Sequence, residues 1–230
     1  MPISESEAHA EARREAAPAV AVAFVLLVLL AIVSKVEGWQ LLHRLPWWGW
    51  LVLAVPELVL IVDFTLRETG ARGMKTRRVA LGLLGLLVLG NVIALCILVT
   101  GLVTTSTKDL GGVELLLTAA VIWTTNVIVF GIWFWEVDLG GPVERAMRGH
   151  TRKGPDFEFP QDDNPSVERP GWYPNLWDYL YVSVTNSIAF SPTDAMPLTR
   201  HAKVLMGLES AISVVTVLLV AARAVNVLAA

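Results

Sequence analysis

The chain of 230 residues is 54% hydrophobic and 17% charged, with a formal net charge of −3 and a mean hydropathy of +0.57. A soluble domain carries nearer a quarter charged residues, so an ordinary soluble protein is excluded. The weak negative charge leaves no basis for a nucleic-acid partner. The single cysteine, Cys96, supports neither a disulfide framework nor a metal site, and is expected to be a small packing residue.

Uncharged stretches run from Ala16 to Ser34, Val79 to Thr107 and Leu115 to Trp135. Each reaches or exceeds the roughly 18–20 helical residues that cross a hydrocarbon core. Residues 1–16 form a polar N-terminal segment with only Arg13 and Arg14 as cations, which does not suit a cleaved signal, so the first span, about 17–34, is expected to be retained. The second span, about 46–64, opens on Pro46 with Trp47, Trp48 and Trp50 as an interfacial belt. A link with Arg67, Arg72, Lys75, Arg77 and Arg78 leads to the third span, 79–103, and a short link leads to the fourth, 114–136. Residues 17–110 thus make a three-helix membrane region, and 111–230 a second unit.

Residues 137–172 change character, with five prolines, five glycines and twelve charged residues. They are expected to be a polar loop without an apolar face to bury. A helix-like stretch from Pro174 to Phe190 follows, then a break at Ser191-Pro192-Thr193-Asp194-Ala195-Met196-Pro197-Leu198-Thr199, then a last apolar helix, about 200–228.

Ionisable groups within spans are costly and mark function or pairing. Glu57 and Asp63 lie in the second span and Glu209 in the last helix. Glu57 and Asp63 are six residues apart, about 600° around a helix, and face different sides. Asn91 and Asn126 read as interhelical hydrogen-bonding residues. The four histidines are scattered, no nucleophile, phosphate or dinucleotide motif is present, and no enzyme activity, cofactor or metal centre is expected.

Two readings of 174–199 stand. In one, 174–190 is a short complete span and Ser191-Pro192-Thr193-Asp194 caps the next helix, giving six spans. In the other, 176–190 is re-entrant. Leu180-Tyr181-Val182-Ser183-Val184, followed by Asp194-Ala195-Met196-Pro197-Leu198-Thr199, resembles the pore of tetrameric potassium channels. Those carry a Leu-Tyr-Phe-Ser-Val pore helix, a Thr-Val-Gly-Tyr-Gly filter and then Asp-x-x-Pro. The resemblance implies a pore helix–filter–inner helix module with Ala189, Phe190, Ser191, Pro192, Thr193 and Asp194 at the pore and filter positions. No glycine stands there, so a cage of alternating backbone carbonyls is disfavoured. The C-terminal half, from Trp135-Glu136-Val137-Asp138-Leu139-Gly140-Gly141-Pro142 through Phe159-Pro160-Gln161 to Phe190–Thr199, also resembles a widespread family of small bacterial membrane proteins of unassigned activity.

The expectation is therefore an all-α, multi-pass protein of the bacterial inner membrane with five to six transmembrane helices. The resemblance implies a homo-oligomer, a tetramer, that passes inorganic cations without strong potassium selectivity. The alternative is a non-conducting six-span protein, a small transporter or a membrane-complex partner. With the N-terminus inside, the positive-inside rule puts both cation-rich links in the cytoplasm. A re-entrant loop after four spans would then open towards the cytoplasm.

Overall fold

The computed structural model describes residues 4–39, 46–66, 74–104, 112–148, 154–163, 172–191 and 195–228. It is mostly helical, an all-α membrane architecture. The long helices are α1 (Glu5–Val36), α2 (Trp47–Leu66), α3 (Met74–Thr104), α4 (Gly112–Val137) and α8 (Arg200–Leu228). Between α4 and α8 lie α5 (Pro142–Arg148), β1 (Phe157–Glu158), α6 (Pro160–Asp163), α7 (Leu176–Ala189) and β2 (Met196–Pro197). Four helices, α1, α3, α4 and α8, are long and apolar enough to cross a membrane, while the apolar part of α2, Trp47–Val62, is shorter.

The first helix begins a dozen residues before the expected span. Ser4 and Glu7 form a capping box, and Ala, Glu and Arg keep helical propensity high beyond the hydrocarbon. Ala8, Ala12, Ala16, Val20, Ala23, Leu27 and Leu30 are all buried along one face. Small residues at this spacing let a neighbouring backbone approach closely. Residues 5–16 of the polar segment thus belong to α1. Cys96 also departs from expectation: it is exposed on α3 and fills no core space.

Contacts between side chains set the directions. Arg77 at the start of α3 reaches Glu136 and Val137 at the end of α4, and Asn91 accepts from Thr125 at 3.2 Å halfway along. The two helices are therefore antiparallel. Gly131 of α4 lies so close to α7 that an added Cβ would stand 3.1 Å from the Leu180 Cα, which is backbone and cannot yield. Gly131→Ala is expected to cost about 1–3 kcal/mol as overpacking, read as a lower unfolding midpoint in detergent.

Within the 137–172 loop the described residues 154–163 are packed against the helices. Phe157 and Phe159, alternate residues around Glu158, are 1% and 2% exposed. Their rings meet Phe134 at 5.2 Å and Tyr179 at 6.0 and 5.3 Å. A two-residue strand places alternate side chains on one face, so Phe-Glu-Phe buries both rings where no helical period exists to be read.

Candidate functional site

The C-terminal end of α4 must satisfy four carbonyls that lack helical partners, and in an apolar setting this is mandatory. Two arginines serve three of them, those of Trp135, Glu136 and Val137. Arg145 of α5 donates through Nη1 to Trp135 O at 2.7 Å and Asp138 O at 2.8 Å. Arg77 donates to Glu136 O at 2.8 Å and Val137 O at 3.2 Å. Both positive charges also complement the negative end of the helix dipole. The chain can turn back towards Arg145 because Gly141 takes φ +103°, a conformation open to glycine.

Asp138, wholly buried, fastens three segments at this end. Its Oδ1 accepts from the backbone N–H of Asp156 at 2.7 Å and of Phe157 at 3.3 Å. Its Oδ2 accepts from the Tyr179 hydroxyl of α7. Asp156 in turn accepts from the Thr199 hydroxyl and, through its carbonyl, from Leu198 N–H at 2.9 Å, while β1 pairs antiparallel with β2. The guanidinium of Arg145 lies 4.9 Å from the centre of the Tyr179 ring, within cation–π range. Arg145 also lines a cleft of about 10 Å³ with Glu11, Glu15 and Tyr173. Tyr173 donates to Glu11 at 2.8 Å. Burial, with the Glu11 carboxylate beside it, pushes its hydroxyl up to about 12.

These bonds give α7 its direction. Asn175 and Asp178 cap its start, beside Glu15, which accepts from Leu176 N–H at 3.0 Å. Tyr179 stands at the level of Asp138, and Ser183 donates to Val127 O at 2.8 Å, further down α4. For α8, Thr199 lies beside Asp156 at the Asp138 end, and Ser213 meets Asn126 at 3.3 Å further down. Hence α7 and α8 run in the same direction, both antiparallel to α4. With 14 residues α7 is about 21 Å long, short of a ~30 Å core. It closes on Phe190 in the left-handed region, φ 54°, a frequent helix stop that costs a non-glycine residue about 1–2 kcal/mol. Met196 is already back at the Asp138 end, paired with Glu158.

Deeper between α4, α7 and α8 lies Glu209, fully buried. Its Oε1 is bonded to the hydroxyls of Ser183 and, at 3.1 Å, Ser187. Its Oε2 accepts from Asn186 Nδ2 at 2.7 Å. The network continues from Ser187 to Ser213 at 3.0 Å and from Ser213 to Asn126. Ser210 donates to Asn186 Oδ1 at 3.1 Å.

Of the residues singled out in the sequence, Glu209 is the centre of this network. Glu57 is buried in α2 with Oε2 lacking a hydrogen-bond partner among the described residues, and no described bond joins it to Glu209. Ala189, Phe190 and Ser191 are exposed at the end of α7. Pro192, Thr193 and Asp194, and the side chain of Asp63, lie outside the described residues. The helix start expected at Ser191-Pro192-Thr193-Asp194 lies mostly outside the described residues; α8 begins at Arg200, where Thr199 Oγ1 accepts from Ala202 N–H at 3.3 Å. Asn91 and Asn126 bridge helices as expected. Sequence reading missed Asp138, Arg145 and Tyr179, and also Ser183, Asn186 and Ser187. The last three recur at i, i+3 and i+4, one face of a helix, and that spacing was the available signal. Among the described residues no group of three or more His, Cys, Asp or Glu comes together to hold a metal. Compared with known proteins, the chain matches no family model, no curated protein and no solved structure.

Proposed function

We propose that this chain is a subunit of an oligomeric, channel-like membrane protein that passes inorganic cations without strong potassium selectivity. One observation carries the reading: α7 and α8 descend in the same direction along α4, so the chain turns back between Phe190 and Met196. A helix that stops part-way, a returning segment and a full inner helix are the parts of a re-entrant pore module. On this reading α1, α2, α3, α4 and α8 are the spans and α7 is not. The exposed end of α7 at Ala189, Phe190 and Ser191 then faces the path that subunits share, a tetramer by the likeness to potassium channels.

Among the described residues Arg13, Arg14, Arg77, Arg78, Arg145, Arg200 and Lys203 lie on the Asp138 side, whereas Lys35 lies at the far end of α1. The positive-inside rule makes that side cytoplasmic in a bacterial inner membrane. The re-entrant segment enters from the cytoplasm, opposite to a potassium channel.

The test is flux through the purified protein in liposomes. Cation flux is expected, with similar reversal potentials for potassium and sodium, because glycine-free positions 189–193 cannot alternate backbone handedness cheaply. Asp194→Asn is expected to reduce flux most at low salt, where a ring of carboxylates attracts cations over a longer Debye length. Absence of flux under every ion and voltage would favour the non-conducting six-span reading. Unchanged flux in Asp194→Asn would remove Asp194 from the path.

A further inference from the structure

Counting hydrogens around Glu209 shows what the network holds. Five contacts run in series: Asn126 Nδ2 to Ser213, Ser213 to Ser187, Ser187 to Glu209, Glu209 to Ser183, and Ser183 to Val127 O. Each needs one hydrogen, and each serine hydroxyl owns one. Asn126 supplies the first contact, Ser213 the second and Ser187 the third. The carbonyl of Val127 can only accept, so the Ser183 hydrogen belongs to the fifth. The contact between Glu209 and Ser183 is then left without a hydrogen unless the carboxyl carries one. The amide of Asn186 cannot fill the gap: its two hydrogens go to Met206 O at 3.0 Å and to Glu209 Oε2.

We infer that Glu209 is a proton-binding site, and that its proton, donated to Ser183, completes the clasp between α4, α7 and α8. Without the proton the same atoms are one hydrogen short. Ser183 must then turn from Val127 O to the carboxylate, and α7 loses a bond to α4. The groups facing the carboxyl are neutral on every side. They are Asn126 and Val127 O from α4, Ser183, Asn186 and Ser187 from α7, and Ser210 and Ser213 from α8 itself. Apart from Glu209 itself, the charged residues of these helices stand towards their ends: Glu114 and Glu136 on α4, Asp178 on α7, Arg200, Lys203 and Arg223 on α8. On α3, which also packs against α8, Arg77 and Arg78 are at the start and Asn91 is bonded to Thr125. Among the described residues no cation contacts Glu209, so the proton is what keeps the cluster neutral in a water-poor setting. The inference needs no ion to cross the membrane and stands apart from the channel reading.

Infrared difference spectroscopy on the full chain in lipid nanodiscs tests it. Subtracting Glu209→Gln from the unsubstituted protein at neutral pH should reveal a carboxylic-acid C=O band that moves in deuterated water. A carboxylate stretch in its place overturns the proposal. Ser183→Ala removes the acceptor of the proton, and the acid band should move to the position of a less hydrogen-bonded carboxyl. A band that stays put overturns the assignment of the proton to Ser183, and this arm decides the matter if Glu209→Gln fails to fold.

Discussion

Replacing Asp138 by alanine is expected to lower stability by about 3–5 kcal/mol, the scale seen when one member of a buried charged network is removed. The carboxylate serves the Tyr179 hydroxyl and the N–H groups of Asp156 and Phe157 at once. Alanine leaves all three donors unpartnered in a buried setting, each costing about 1–3 kcal/mol where no water replaces the acceptor. It also removes one of the negative charges near the buried Arg145, leaving it Glu15. The damage should spread along the chain, because the Asp156 segment holds Thr199 and Leu198 at the start of α8. Denaturation midpoints in detergent measure the loss. Limited proteolysis should show 154–163 becoming cleavable before the helices do. Tyr179→Phe removes one bond and no charge, and its cost should be nearer 1–2 kcal/mol. Equal effects for the two variants would mean that Asp138 does not hold the 154–163 segment.

The second large effect is expected at Glu209. Glu209→Ala removes a carboxyl that receives Asn186 and Ser187 and contacts Ser183. It strands those groups and opens a cavity, a combined loss of about 2–5 kcal/mol. Glu209→Gln keeps the volume, one acceptor and a donor where the acid carries its hydrogen, so its cost should stay below about 1.5 kcal/mol. Unfolding midpoints of the purified variants give the comparison. An alanine variant as stable as the glutamine variant would show that the network contributes nothing net to holding α7.

The places where sequence reading and structure part company share a cause. Arg77 and Arg145 read as loop cations that set orientation, because charge alone is visible in a sequence. That they bond the last carbonyls of α4 depends on two separate links folding back to one helix end. Asp138 looked like one of twelve charged loop residues, yet it is wholly buried. Its burial is created by Phe157 and Phe159, whose two-residue strand is too short to leave a periodic signal. The α1 boundary failed for a different reason. Hydropathy marks where the hydrocarbon begins, whereas helix propensity and a capping box mark where the helix begins, here at Glu5.

The sequence by itself determined that the chain carries several membrane-length apolar helices, because a hydrocarbon solvent demands uninterrupted apolar runs of fixed length; it did not determine their number, expected as five to six where four are long enough to span. It also singled out Glu209, since a carboxylate inside such a run is conspicuous wherever it points. Direction and pairing are different in kind. Whether α7 crosses or turns back depends on which end of α4 holds Tyr179, Ser183, Thr199 and Ser213. Those bonds join residues 41 or more apart in the chain, and hydropathy and local propensity carry no information about them. Only the tertiary structure brings Asn126, Ser183, Asn186, Ser187 and Ser213 around one carboxyl, because a hydrogen-bond network is a property of facing surfaces and not of any single helix.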